Sequence, residues 1–95
     1  GEMLATSDLP AGVVNLLTGF RRELVPTFAT HAHLRALSAA VGADDRRTLE
    51  LGAAESVKRA HFAAEDTDWA KASAQSLDAI RDFVEFKTVW HPIGA

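Results

Sequence analysis

Hydrophobic positions along the chain come in short runs divided by glycine, proline and acidic residues, and the spacing changes from run to run. Gly1 to Thr6 reads as the tail of a helix that begins abruptly, with Met3 and Leu4 apolar. Ser7-Asp8-Leu9-Pro10-Ala11-Gly12 is a turn cluster. Val13 to Leu17 is an apolar run bounded by Gly12 and Gly19, the pattern of a strand buried on both faces of a parallel sheet. From Phe20 to His33, Phe20, Leu24, Phe28 and Ala32 recur every fourth residue, one stripe of a helix. Pro26 lies inside that stripe, where proline costs about 3 kcal/mol, so the helix kinks or begins properly only near Pro26.

Leu34 to Val41 alternates weakly and predicts a second strand ending at Gly42. Asp44 and Asp45 suit the start of a helix, where carboxylates meet the positive end of the dipole, and Leu49, Ala53, Ala54 and Val57 give it an apolar face. Val57 to Phe62 reads as its last turn or as a third strand. A polar linker around Trp69 leads to a helix over about Ser73 to Phe83, and Phe86 to His91 alternates into a final strand stopped by Pro92-Ile93-Gly94. Two apolar runs separated by an amphipathic helix of crossover length predict an α/β fold with a small, mainly parallel sheet that includes Val13–Leu17 and Leu34–Ala40.

Length narrows the picture. A chain of 95 residues makes one small domain, which buries only about 60–65% of its unfolded surface. Alanine supplies much of the 47% apolar content, so the core is poorer than that figure suggests. The net charge of −3 offers no basic footprint for nucleic acid or an anionic membrane. No apolar run approaches the roughly 20 residues of a membrane span. No signal peptide is evident at the first residues, and a cytoplasmic location follows by elimination. The absence of cysteine excludes disulfides and thiolate metal sites.

Leu9-Pro10-Ala11-Gly12-Val13-Val14-Asn15, then Thr18-Gly19 and, further on, His31, resemble the aldehyde dehydrogenase superfamily. There a Pro-x-Gly-Val-Val-Asn strand ends in Thr-Gly inside the cofactor domain. The resemblance runs from about Gly1 to Phe62. It implies a partial Rossmann-like, dinucleotide-binding βαβ region over residues 1–63, followed by a linker, helix and terminal strand over 64–95. It also implies NAD or NADP as cofactor, with Thr18, Gly19 and Gly42 as its binding residues. The family's Phe-Thr-Gly-Ser turn, whose glycine and serine approach the cofactor diphosphate, corresponds here to Ala39-Ala40-Val41-Gly42-Ala43, so only the glycine is kept. The family's cysteine nucleophile has no counterpart, and no catalytic residue is assigned. Leu49-Glu50-Leu51-Gly52 imitates the family's Glu-Leu-Gly-Gly motif. Glu50 comes only eight residues after Gly42, inside a predicted helix, and reads as an exposed helical glutamate.

The tail Lys87-Thr88-Val89-Trp90-His91-Pro92-Ile93-Gly94 resembles the end of short non-catalytic relatives, in which a degenerate second copy accompanies a competent enzyme. Two functions follow. One is a dehydrogenase-like domain fragment, inactive alone. The other is an interaction module whose tail and tryptophans dock on a longer dehydrogenase-like subunit or on a second copy. Other chemistry finds little support. His31 and His33 would stand about 200° apart on a helix and could share no metal there, and no third ligand is evident. No serine or threonine has a base and an orienting group at recognisable spacing. Glu65-Asp66-Thr67-Asp68 lacks the glycine of a calcium loop and reads as solvated loop.

Overall fold

The computed structural model describes residues 1–94. Its regular elements in chain order are α1 (Glu2–Thr6), α2 (Arg21–Thr30), β1 (Ala36–Ala40), α3 (Ala43–Ser56), β2 (Arg59–Ala63), a 3-10 turn (Ala72–Gln75) and α4 (Asp78–Arg81). β1 and β2 pair in parallel, from Ala36 opposite Arg59 to Ala40 opposite Ala63. α3 is the crossover between them. The fold is therefore α/β with a two-stranded parallel sheet, and the βαβ unit spans residues 36–63.

That placement corrects the expected sheet. Val13–Leu17 is not a strand. It follows a turn closed by the Val13 amide on the Pro10 carbonyl (3.4 Å), with Gly12 at φ +83°, a left-handed value that glycine adopts freely. An extended segment becomes a strand only when a neighbour completes its hydrogen bonds. Here the segment lies beside α1 instead, with Leu4, Ala5, Leu9, Val14 and Leu16 around a shallow depression. The expected strand over Phe86–His91 is likewise irregular and exposed, and the single expected helix over 73–83 divides into the 3-10 turn and the four-residue α4. Val57 to Phe62, left open between helix and strand, contributes to β2.

α2 starts at Arg21, not near Pro26, with the Phe20 carbonyl accepting the amides of Glu23 and Leu24. Pro26 is tolerated because it lies on the exposed face, where the Arg22 carbonyl left without its amide partner meets solvent. The buried stripe is rotated by one residue from the expected one: Val25 and Ala29 are buried, Leu24 and Phe28 half-buried, and Phe20 exposed. The cause is close helix–helix packing. A Cβ on Gly52 of α3 would stand 2.4 Å from the Ala29 carbonyl oxygen, so only glycine lets the two backbones meet.

Val25, Ala29 and Leu49 form the core, and Phe28, Leu37, Ala39, Val41 and Phe62 pack against it. By strand alternation Leu37, Ala39 and Phe62 share the sheet face that carries α2 and α3. Ala36, Ser38, Ala40, Arg59, His61 and Ala63 share the other. α3 ends at Val57, whose φ of +53° turns the chain so that the Lys58 amide reaches back to the Ala53 carbonyl (3.1 Å).

Surface area is out of proportion to this core. The structure exposes 8337 Å², against about 5,300 Å² for a compact monomer of 10.2 kDa. Its radius of gyration is 17.0 Å, where a compact chain of this length has about 12 Å.

Candidate functional site

The carboxyl ends of parallel strands are where open α/β sheets place ligands, and the sequence-selected glycines gather there. Gly42 follows β1 and is the N-terminal boundary residue of α3. Gly19 packs on Leu24 at the start of α2, a Cβ there standing 3.4 Å from Leu24 Cδ1. Thr18 precedes it in exposed, irregular chain. The link between the two regions is an ion pair from Arg21 Nη1 to Glu65 Oε1. Glu65 lies just beyond β2, and its other oxygen would be 3.2 Å from a Cβ on Gly42. The Glu65 hydrogen bond and charge raise the Arg21 pKa above its ordinary value, with Asp45 adding to the effect and slight desolvation opposing it.

This pole is furnished with carboxylates. Asp44 and Asp45 occupy the first turn of α3, and Glu65 covers Gly42 from outside. The N-terminal dipole of α3 is thereby answered by the chain's own acidic groups. A dinucleotide diphosphate does not fit this arrangement. It would meet three carboxylates, with Arg21 already engaged by Glu65 and no serine at position 43 to donate to it.

Lys58 marks the opposite end of the helix layer. It is 7% exposed, and its Nζ donates to the carbonyls of Phe28, Ala29 and His31, each at 2.9 Å. A helix leaves its last carbonyls unpaired, and a cation there also meets the negative end of the dipole. All three ammonium donors are thus used on the end of α2, which leaves no donor for substrate.

On the sheet face away from the helices, Arg59 and His61 reach the chain after α4. Arg59 Nη1 donates to the Val84 carbonyl (2.7 Å), its Nη2 lies 3.6 Å from Glu85 Oε1, and His61 Nδ1 lies 3.3 Å from Asp82 Oδ1. These contacts hold residues 82–85 against β2. Beyond them Phe86, Val89, Trp90 and Ile93 are exposed.

A groove of about 360 Å³ runs along β1 on the side away from β2. Every residue from Leu37 to Val41 borders it, together with Gly19, Arg21, Leu24, Phe28 and Leu49. Since successive side chains of a strand point to opposite faces, a groove that touches all of them lies along the strand edge.

Other chemistry is scarce. Glu50 sits in α3, half-exposed and bonded to Arg46 at 2.8 Å. Arg46 also lies over the Phe62 ring at 4.9 Å. The His31 and His33 rings meet edge to face with centroids 6.0 Å apart. Among the described residues no three His, Cys, Asp or Glu side chains come together as a metal site, and no helix is long and apolar enough to cross a membrane.

Sequence reasoning selected Gly19 and Gly42 but missed Arg21, Glu65 and Lys58. Arg21 and Glu65 are separated by 44 positions, and nothing local marks them as partners. Lys58 left one trace, a lysine immediately after a helix end, where cations favour the terminal carbonyls. No family model, no curated protein and no solved structure matches the chain.

Proposed function

We propose that this chain is an assembly module of an aldehyde dehydrogenase-like protein, without catalytic activity of its own, acting in the cytoplasm. One observation carries the assembly reading: the chain exposes about 3,000 Å² more than a compact monomer of its mass would. A stable interface removes about 800 Å² from each partner. Val13, Leu16, Leu17 and Phe20 towards one end and Phe86, Val89, Trp90 and Ile93 towards the other are among the exposed large hydrophobic residues. Tryptophan is also enriched among residues that dominate binding energy. The dehydrogenase-like descent rests on the sequence resemblance, and the partner it implies is a second copy or a longer dehydrogenase-like subunit.

The test is the assembly state. Light scattering on the purified chain should give a mass above that of a monomer, and truncation after Glu85 should weaken association while α2, α3 and the β1–β2 pair stay folded. A well-folded monomer at high concentration overturns the proposal, as does a tail deletion that unfolds the domain.

A second reading is a remnant dinucleotide-binding domain, in which Thr18, Gly19 and Gly42 face NAD or NADP. The parallel β1–α3–β2 unit with glycine at its strand-to-helix turn favours it. The carboxylates around Gly42 oppose it.

A further inference from the structure

We infer that the edge of β1 away from β2 is a strand acceptor, and that a second copy of this chain fills it with its Val13–Leu17 segment. The inference rests on the assembly reading above and adds to its tail contact a second surface, with a second copy as the partner.

The register shows which backbone groups are free. The Arg59 amide donates to the Arg35 carbonyl at 3.0 Å, and Ala36 is the residue opposite Arg59. In a parallel ladder the amide and carbonyl of one residue point to the same side, and successive residues alternate. Arg35, Leu37 and Ala39 therefore bond to β2, and the amides and carbonyls of Ala36, Ser38 and Ala40 point outward. No hydrogen bond among the described residues reaches these six groups. Ser38 and Ala40 border the apolar groove between β1 and α2. Such a row of unpaired groups above an apolar floor is what an added strand requires: main-chain bonds supply affinity and the floor takes alternate side chains.

The other edge of the sheet carries more charge. The groove beside β2 is bordered by Arg46, Glu50 and Arg59 among apolar residues, and although these charges are paired within the chain, charged side chains discourage strand addition. Beside β1 the one charged side chain is Arg21, already paired with Glu65.

The donor is present on the same chain. Val13–Leu17 has the length of β1 and four exposed aliphatic side chains. From Val14 to Leu17 its backbone takes part in no hydrogen bond among the described residues. It lies beside α1, and α1 packs on none of α2, α3, β1 or β2 to any extent. A protomer with its donor segment outside the sheet and its acceptor edge open is the form that exchanges an identical element with another copy. The surplus surface is large enough for two reciprocal strand additions.

The natural chain contains no cysteine, so a direct test is clean. One preparation carries Asn15→Cys and a second, mass-tagged, carries Ser38→Cys. Mixed, unfolded, refolded together and mildly oxidised, they should give a disulfide-linked heterodimer as the major product. A mixed-disulfide partner is formed only between copies, so the product excludes insertion of a chain's own segment. Moving the acceptor cysteine to Ala36 or Ala40 reads the register. Separately, Ser38→Pro removes an outward amide without touching the β2 ladder. It should leave the far-ultraviolet spectrum unchanged and raise the dimer dissociation constant at least tenfold. A dimer that yields no mixed disulfide and is insensitive to Ser38→Pro overturns strand exchange but leaves the assembly reading standing. The double variant Asn15→Cys/Ser38→Cys closing within one chain also overturns it. A monomer in every preparation overturns both.

Discussion

Gly52 of α3 lies so close to Ala29 of α2 that an added Cβ would stand 2.4 Å from the Ala29 carbonyl oxygen and 2.7 Å from the Ala29 Cβ. The obstacle is backbone, which cannot swing aside as a long side chain can. Gly52→Ala must therefore push the helices apart and open the small core around Val25 and Leu49. We expect a loss of about 2–4 kcal/mol, although alanine is the better helix former. Urea unfolding checks it, and a stability equal to or above that of the natural chain would refute the close packing.

Lys58 supplies the second prediction. Lys58→Met keeps the aliphatic stem but leaves the Phe28, Ala29 and His31 carbonyls without their donor. We expect a loss of about 2–3 kcal/mol, from three charge-assisted bonds and the end of the α2 dipole. Amide exchange should report it first in the last turn of α2, ahead of α3. Equal effects on both helices would indicate general destabilisation instead.

Val57 is a β-branched residue held at φ +53° while 90% exposed. The side chain contributes little packing there, and the left-handed conformation costs it about 1–2 kcal/mol. Val57→Gly relieves the strain at the expense of a more disordered unfolded chain. The expected net gain is about 1 kcal/mol in a thermal or urea melt. An unchanged or lowered midpoint would show that Val57 makes contacts that its exposure conceals.

The carboxylates around Gly42 bear on cofactor binding. Asp44, Asp45 and Glu65 repel a diphosphate, and Arg21 is held by Glu65. We expect NAD and NADP to bind more weakly than about 1 mM, equivalent to less than about 4 kcal/mol. Calorimetry that finds saturable micromolar binding, abolished by Gly42→Val, would make this pole a working cofactor site.

Without a thiol the chain has no group to form the thiohemiacetal through which aldehyde dehydrogenases work. The purified chain should therefore produce no reduced nicotinamide from aldehyde and NAD(P). Turnover that follows the protein through purification and survives thiol alkylation would reveal another nucleophile.

Local chemistry determined a good part of this protein. The acidic start at Asp44 and Asp45 and the apolar positions Leu49 and Ala53 marked α3. The alternation of Leu34 to Val41 marked β1, and Gly42 marked its end. The parallel α/β class followed from strand, crossover helix and strand. What the tertiary structure decided was partnership. Val13–Leu17 and Phe86–His91 have strand-like composition, yet a strand exists only when another supplies its hydrogen bonds. The βαβ unit therefore formed one element later than the pattern suggested, between β1 and β2. The buried stripe of α2 turned by one residue because Gly52 admits the backbone at Ala29, a fact of three-dimensional contact. Arg21 with Glu65, and Lys58 with the end of α2, join residues more than 25 positions apart. No local pattern encodes such pairs, because their energy comes from geometry that exists only once the helices and strands have packed.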